Sequence, residues 1–295
     1  MTIGAARIQG LDDPRIADYR DIAEAELVRS RGLFVAEGRL IVRRLIEDRR
    51  HTIRSVLVSD AAYRALEAVL VPVAAETPVY VCDAADFLGI TGHDLHRGCL
   101  ALVERPAPLS LGELLLPFAP LDRVARVLVD PPEKPGPQDP AHTQVQTVVV
   151  LEHVTNADNV GGVFRNAAAF GADAVVLGST CCDPLYRKAI RTSMAATLRV
   201  PYARAERWPG DLDELRTHGF TIVALTPREP SLTLDELAQR PRPPKIAWLV
   251  GTEGEGLTAD ALSFADQHVS IPIAPEVDSL NLAVAVGIAL YRFSR

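Results

Sequence analysis

The sequence predicts an α/β protein of two domains, the second built on a parallel sheet. Three observations predict it. The runs Thr147–Leu151, Ala174–Leu177, Thr221–Leu225 and Ile246–Val250 are continuously apolar rather than alternating, which marks strands covered on both faces. Helical patterns intervene between them, as parallel strands require. Ahead of them, an earlier segment alternates helix-like and strand-like patterns and is set apart by a change to proline-rich composition.

Taken in order, residues 18–103 carry an amphipathic stretch at 41–46 and strands at 55–58 and 79–81, a compact α/β module expected over residues 1–105. Prolines then accumulate and peak in residues 130–140. Proline fixes φ and removes a donor, so residues 106–144 are expected to form a semi-rigid or disordered linker, in which the apolar run 127–129 is still able to pair at a sheet edge. Residues 145–295 form the second domain. Its first helix is expected over residues 160–170, closed by Gly171, because Val160, Val163, Phe164 and Ala167 follow the i, i+3, i+4, i+7 rule. Ligands of such sheets gather beyond the carboxyl ends of the strands, so the polar turns after Leu151, Leu225 and Val250 share a rim.

Composition bounds the rest. With 295 residues and 48% hydrophobic composition, the chain is long enough for one large or two modest domains with filled cores. No apolar run approaches the roughly 20 residues of a membrane span, and the first residues lack the apolar region of a signal peptide, so a cytoplasmic location without membrane contact is expected. Cys82, Cys99, Cys181 and Cys182 show neither zinc spacing nor a disulfide framework and read as reduced, mostly buried thiols.

The segment Gly251-Thr252-Glu253-Gly254-Glu255-Gly256 carries the most chemical information. As a phosphate loop it lacks the Gly-Lys-Ser/Thr ending and holds two acidic residues that repel phosphate. It is also out of register with the Gly-x-Gly-x-x-Gly dinucleotide fingerprint. A glycine-rich turn instead lets main chain approach a flat, mostly neutral ligand such as an adenine nucleoside, with Glu253 free to hold a cation or orient a side chain.

Asn159 to Arg165, the glycine segment, Ile271-Pro272-Ile273 and Ser279-Leu280-Asn281 together resemble the three motifs of the SpoU (TrmH) family of RNA ribose 2′-O-methyltransferases, within the SPOUT class. The likeness spans roughly residues 146–293. More weakly, Phe34-Val35-Ala36-Glu37-Gly38 and His96-Arg97-Gly98-Cys99-Leu100-Ala101 look like the RNA-binding domain, related to a ribosomal protein, that precedes the catalytic domain in many members. The resemblance implies a deep trefoil knot near the carboxyl terminus, S-adenosylmethionine as cofactor, no metal, and a homodimer with the site near the subunit interface. By position it puts the cofactor contacts on Gly251, Ile271 and Leu280, with Thr226 added from the neighbouring strand end. It puts the catalytic arginine on Arg165 and the accompanying motif residues on Asn159, Glu253, Ser279 and Asn281.

Those residue types suit the chemistry. Transfer of a methyl group from a sulfonium to a ribose hydroxyl is an in-line displacement that needs neither metal nor covalent intermediate. A guanidinium keeps its proton with a pKa above about 12, so Arg165 is expected to hold the adjoining phosphate and stabilise developing alkoxide character rather than act as the base. A preorganised donor of that kind contributes about 3 to 4 kcal/mol. Glu253 and Asn159 would fix its geometry.

Structural roles compete at several positions. As the lesser readings, Arg165 would be a surface arginine, Asn159 a helix N-cap, Ser279 the cap of an apolar helix over residues 280–291, and Asn281 an incidental polar residue. His153 and His268 read as hydrogen-bonded structural residues and Glu255 as solvated. Two departures from the family pattern stand out: Ala283 replaces a small hydroxyl residue, removing one hydrogen bond, and Asn166 replaces a threonine.

The net charge of −7 and pI near 5.5 argue against indiscriminate nucleic-acid binding, so any RNA contact is local. Arg29, Arg31, Arg39, Arg43, Arg44, Arg49, Arg50 and Arg54 concentrate early, partly offset by Glu37, Glu47 and Asp48; a solvated helix face and an RNA-contacting patch both remain open. The resulting expectation is a methyltransferase acting on ribosomal or transfer RNA, with ribosomal RNA preferred because of the front domain. The alternatives are a catalytically silent RNA-binding scaffold or ribosome assembly factor with the same fold, and another α/β enzyme that uses an adenine nucleotide.

Overall fold

The computed structural model describes residues 5–20, 23–91, 98–116, 146–227 and 231–293. They divide into two compact units, one of Met1–Ala107 with Pro184–Ala195, the other of Pro108–Asp183 with Ala196–Arg295. No helix among the described residues is long and apolar enough to cross a membrane.

In the first unit, strands β1 (Ala5–Arg7), β2 (Leu33–Glu37), β3 (Ile53–Ser59), β4 (Val79–Cys82) and β5 (Cys99–Glu104) form a mixed sheet in the order β1-β4-β3-β5-β2. The central β3 pairs parallel with β4 and antiparallel with β5. The expected amphipathic stretch is the helix Arg39–Asp48, which buries Ile41, Val42, Leu45 and Ile46 and exposes Arg43, while Arg39 and Arg44 are partly buried. Burial pushes the thiols of Cys82 and Cys99 up to about 12, so both stay protonated and inert. His96 and Arg97, part of the weaker resemblance, lie outside the described residues.

Sequence order places residues 184–195 in the second domain, yet the structure groups them with the first unit. Polar contacts tie them to it. Glu37 at the end of β2 is only 4% exposed, and a carboxylate so buried requires a cation or donors. Arg191, on the helix Arg187–Thr192, meets Glu37 Oε1 at 2.9 Å, while Arg44 donates to the carbonyl of Met194 at 2.9 Å.

The second unit holds seven parallel strands: β6 (Thr147–Leu151), β7 (Ala174–Leu177), β8 (Tyr202–Arg204), β9 (Thr221–Leu225), β10 (Leu232–Thr233), β11 (Ile246–Val250) and β12 (Gln267–Ser270). Their order is β10-β12-β9-β11-β6-β7-β8. Successive side chains alternate between two cores. Val149, Leu151, Val223 and Trp248 pack under the helices Ala157–Phe170 and Leu282–Phe293, and Val148, Val150, Ile222 and Leu249 pack under Leu111–Leu115 and Leu212–Thr217.

The helix Leu111–Leu115 corrects the linker expectation over residues 106–116. Ser110 and Glu113 form a capping box that starts it, and Leu111, Leu114 and Leu115 are buried. The apolar run 127–129 falls outside the described residues.

Candidate active site

The carboxyl ends of β12, β9, β11 and β6 lie side by side, as the sheet order dictates. Beyond them opens a cavity of about 250 Å³ whose wall includes Thr226 after β9, Gly251 and Glu253 after β11, Ile271 after β12, and Ser279 and Leu280 on the approach to the last helix. All four residues assigned to cofactor contact therefore share one wall. Thr226 is buried and its amide donates to the carbonyl of Val269 at 2.8 Å, which fixes the end of β9 to β12.

Glycine at 251 follows from close approach. A Cβ there would lie 2.3 Å from the carbonyl carbon and oxygen of Gly256, closer than real contacts allow. The loop folds back on itself through the Gly256 amide, which donates to Thr252 O at 3.0 Å, and it takes positive φ at Gly254 (88°) and Gly256 (72°).

A relay of side chains joins the three motif segments. Asn281 Nδ2 donates to Asn159 Oδ1 at 2.9 Å and to Glu253 Oε1 at 2.7 Å. Glu253 Oε1 also accepts the Leu282 amide at 3.1 Å, and Asn281 Oδ1 accepts the Val284 amide at 3.2 Å. The orientation of the Asn281 amide follows from its partners, because its oxygen must face an N–H and its nitrogen a carboxylate. Asn281 is thus the N-cap of the last helix, and Glu253 adds a carboxylate at that helix's positive end.

The geometry places each residue for which a structural role competes. Asn159 is 6% exposed and lies inside its helix, whose N-cap is Asn156, accepting from the Asp158 amide at 2.8 Å. Ser279 does not start the last helix, which begins at Leu282; it is exposed on the cavity wall. His268 Nε2 sits 3.3 Å from the carbonyl of Leu262, a structural contact. Arg165 is exposed and, among the described residues, has no hydrogen-bond or ion-pair partner. Glu253 and Asn159, expected to orient Arg165, hold Asn281 instead.

Asn159, Gly162 and Asn166 recur at i, i+3 and i+7, one face of their helix, and that face meets the last helix at Asn281, Ala283 and Gly287. The contact is tight: a Cβ on Gly162 would lie 2.6 Å from the Cβ of Ala283, and one on Gly287 3.0 Å from Asn166 Nδ2. Asn166 Nδ2 donates to the carbonyl of Ala283 at 2.5 Å. The two departures from the family pattern therefore meet, the amide at 166 binding the main chain at 283.

Sequence reading did not single out Glu152, which is fully buried just beyond β6. Its Oε1 accepts from Trp208 Nε1 at 2.8 Å and from the Thr258 hydroxyl at 2.7 Å, and its Oε2 accepts the Thr258 amide at 2.8 Å. The available signal was a lone acid directly after a five-residue apolar strand.

A parallel α/β unit with a cavity at the carboxyl ends of its strands, walled by a glycine loop and flanked by a relay of amides, is the arrangement of a ligand-binding α/β protein. The model of the SpoU rRNA Methylase family matches residues 146–291. A Mycobacterium bovis protein described as an uncharacterized tRNA/rRNA methyltransferase is 38% identical over 288 residues, covering 96% of this chain and 90% of that one. A Synechocystis protein of the same description is 35% identical over 147 residues, about half of each chain (50% and 52%). Among solved structures, the AdoMet-bound rRNA methyltransferase from Sinorhizobium meliloti superposes with a TM-score of 0.73 at 23% identity over 98% of this chain and 97% of that one. The SpoU methyltransferase AviRb from Streptomyces viridochromogenes gives 0.70 at 20% identity over 96% and 97%. At these identities the structural likeness is one of fold. The chain belongs to the SpoU family of RNA methyltransferases.

Proposed function

We propose that this protein transfers a methyl group from S-adenosylmethionine to a ribose 2′-hydroxyl of RNA, ribosomal RNA in preference to transfer RNA, as a cytoplasmic homodimer whose carboxyl-terminal segment is knotted. The observation that carries the proposal is the relay from Asn159 through Asn281 to Glu253, beside a cavity lined by Thr226, Gly251, Ile271 and Leu280. The cavity suits the cofactor: Leu225, Val250 and Leu257 offer apolar surface to a flat base, and the loop from Gly251 offers main-chain donors and acceptors. When bound, the cofactor supplies an electrophilic methyl on a sulfonium.

The chain's own residues supply the rest. Glu253 and Asn281 hold the start of the last helix against the loop and so keep Ser279 and Leu280 on the wall. Arg165, one position before the anchored Asn166, presents an exposed guanidinium, without a partner among the described residues, able to grip an RNA phosphate in a bidentate fashion and to stabilise negative charge developing on the ribose oxygen. A second copy would cover Val284, Ile288 and Tyr291, which sit at i, i+4 and i+7 on the last helix and are 50%, 38% and 50% exposed. The first unit would recognise RNA.

Incubation with labelled S-adenosylmethionine and total RNA from the source organism, followed by mapping of ribose methylation, tests activity, RNA class and position together. A methylated ribose in ribosomal RNA is expected. Binding of RNA without binding of S-adenosylmethionine would instead identify a scaffold, and a strictly monomeric, fully active species in light scattering would remove the dimer.

A further inference from the structure

We infer that Glu152 is the positioning residue of the glycine loop, holding both ends of residues 251–257 in the form that walls the cavity. The inference deepens the proposed function and rests on S-adenosylmethionine being the ligand of that cavity.

The loop leaves the sheet at Val250 and ends at Thr258. The main-chain N–H of Glu152 donates to the carbonyl of Val250 at 2.9 Å, and its carboxylate accepts both the amide and the hydroxyl of Thr258, at 2.8 and 2.7 Å. One residue thus fixes both loop ends. The loop has reason to need it: Gly251, Gly254 and Gly256 give it more backbone freedom than residues with a Cβ would, and one main-chain bond, Gly256 to Thr252, closes it from within.

The carboxylate is fully buried, and removing a charge from water is unfavourable unless donors satisfy it. Here three donors do so, the third being Trp208 Nε1. Neutral residues would fill the space without that desolvation cost, so the presence of an acid marks a requirement for acceptors on both oxygens. Thr258 also caps the helix Ala259–Ser263 through its hydroxyl, which accepts the Ala261 amide at 3.1 Å, so the grip on the loop extends into the element that follows.

Glu152→Gln keeps the shape but puts an NH₂ where an acceptor stood, opposing either the Thr258 amide or the Trp208 N–H. The expected result is S-adenosylmethionine binding about tenfold weaker by calorimetry, the loss appropriate to one hydrogen bond to a charged group. Amide exchange at Gly256 and Leu257 should quicken while β6 and β11 keep their protection, and the KM for the donor should rise more than kcat falls. If Gln at 152 does not fold, Glu152→Asp, one methylene shorter, gives the same readouts. Donor affinity within twofold of wild type in a folded variant, or a uniform loss of protection across the sheet, would overturn the inference. If the wild-type protein binds no S-adenosylmethionine, the proposed function fails instead, and the exchange comparison still decides whether Glu152 holds the loop.

Discussion

The two units treat charge in opposite ways. In the first, many surface arginines are neutralised by nearby acids: Arg7 with Asp60, Arg31 with Asp18 at 2.7 Å, Arg43 with Glu47 at 2.7 Å and Arg54 with Glu104 at 2.6 Å. Such exposed pairs contribute little to stability and leave a much weaker field than a count of arginines suggests. At the rim of the second unit, the polar groups that hold the cavity wall bind one another: Asn281 serves Asn159, Glu253 and the helix start, and Glu152 serves Trp208 and Thr258. Arg165, by contrast, has no hydrogen-bond or ion-pair partner among the described residues. Density of charge therefore says less about chemistry than whether a charge is already satisfied.

The largest effect should come from the rim. Gly251→Ala puts a methyl into the main chain of Gly256, which has no flexible side-chain end to move aside. Binding of S-adenosylmethionine should fall below detection in calorimetry while far-UV circular dichroism stays native. Retained binding would break the close-approach account of the loop. Next comes Arg165→Ala, for which a loss of about 10²- to 10³-fold in kcat is expected, the range seen when one preorganised donor to developing charge is removed. Because Arg165 is exposed, Tm should not move. Arg165→Lys should recover little of that loss, since an ammonium lacks the planar fork; near-normal turnover would remove Arg165 from the chemistry.

How far these differences could be read in advance depended on distance along the chain. The four continuous runs announced β6, β7, β9 and β11 with their observed limits, because a strand buried on both faces writes itself into consecutive residues. The short β8 and β10 carry too few residues for such a signal. The helix Leu111–Leu115 was legible in Ser110-x-x-Glu113 but was masked by surrounding prolines. The motif residues were visible as motifs, yet their arrangement was not: Asn159 and Asn281 are 122 positions apart, and Arg191 and Glu37 are 154 apart. Nothing local encodes which amide faces which carboxylate. Glu152 escaped notice because a single acid at a strand end has many ordinary explanations, and only complete burial distinguishes it.

A smaller effect is expected at the N-cap of the last helix. Asn281→Ala removes the acceptor for the Val284 amide and leaves Glu253 without its side-chain donor, although the Leu282 amide remains. Loss of an N-cap of this type costs about 1 kcal/mol, to be read from the denaturant midpoint. Asn281→Asp should keep the cap but set a second carboxylate against Glu253, so it should impair donor binding more than stability. Equal effects of the two substitutions on binding would show that the relay acts only through the helix start.

The smallest effect probes the arginines of the first unit and sharpens the contrast directly. Arg29, Arg39 and Arg49 have no hydrogen-bond or ion-pair partner among the described residues, whereas Arg31, Arg43 and Arg54 are paired with acids. Neutralising the first three together should lower the slope of log affinity for single-stranded RNA against log salt by about 2, since each phosphate contact contributes roughly 0.7. Neutralising the paired three exposes Asp18, Glu47 and Glu104, so it weakens binding through added negative potential while removing fewer direct phosphate contacts, and the slope should change by less. If both triple variants shift the slope equally, pairing does not withhold an arginine from RNA; if neither shifts it, the outward face of the helix Arg39–Asp48 is only solvated and RNA binds elsewhere on the protein.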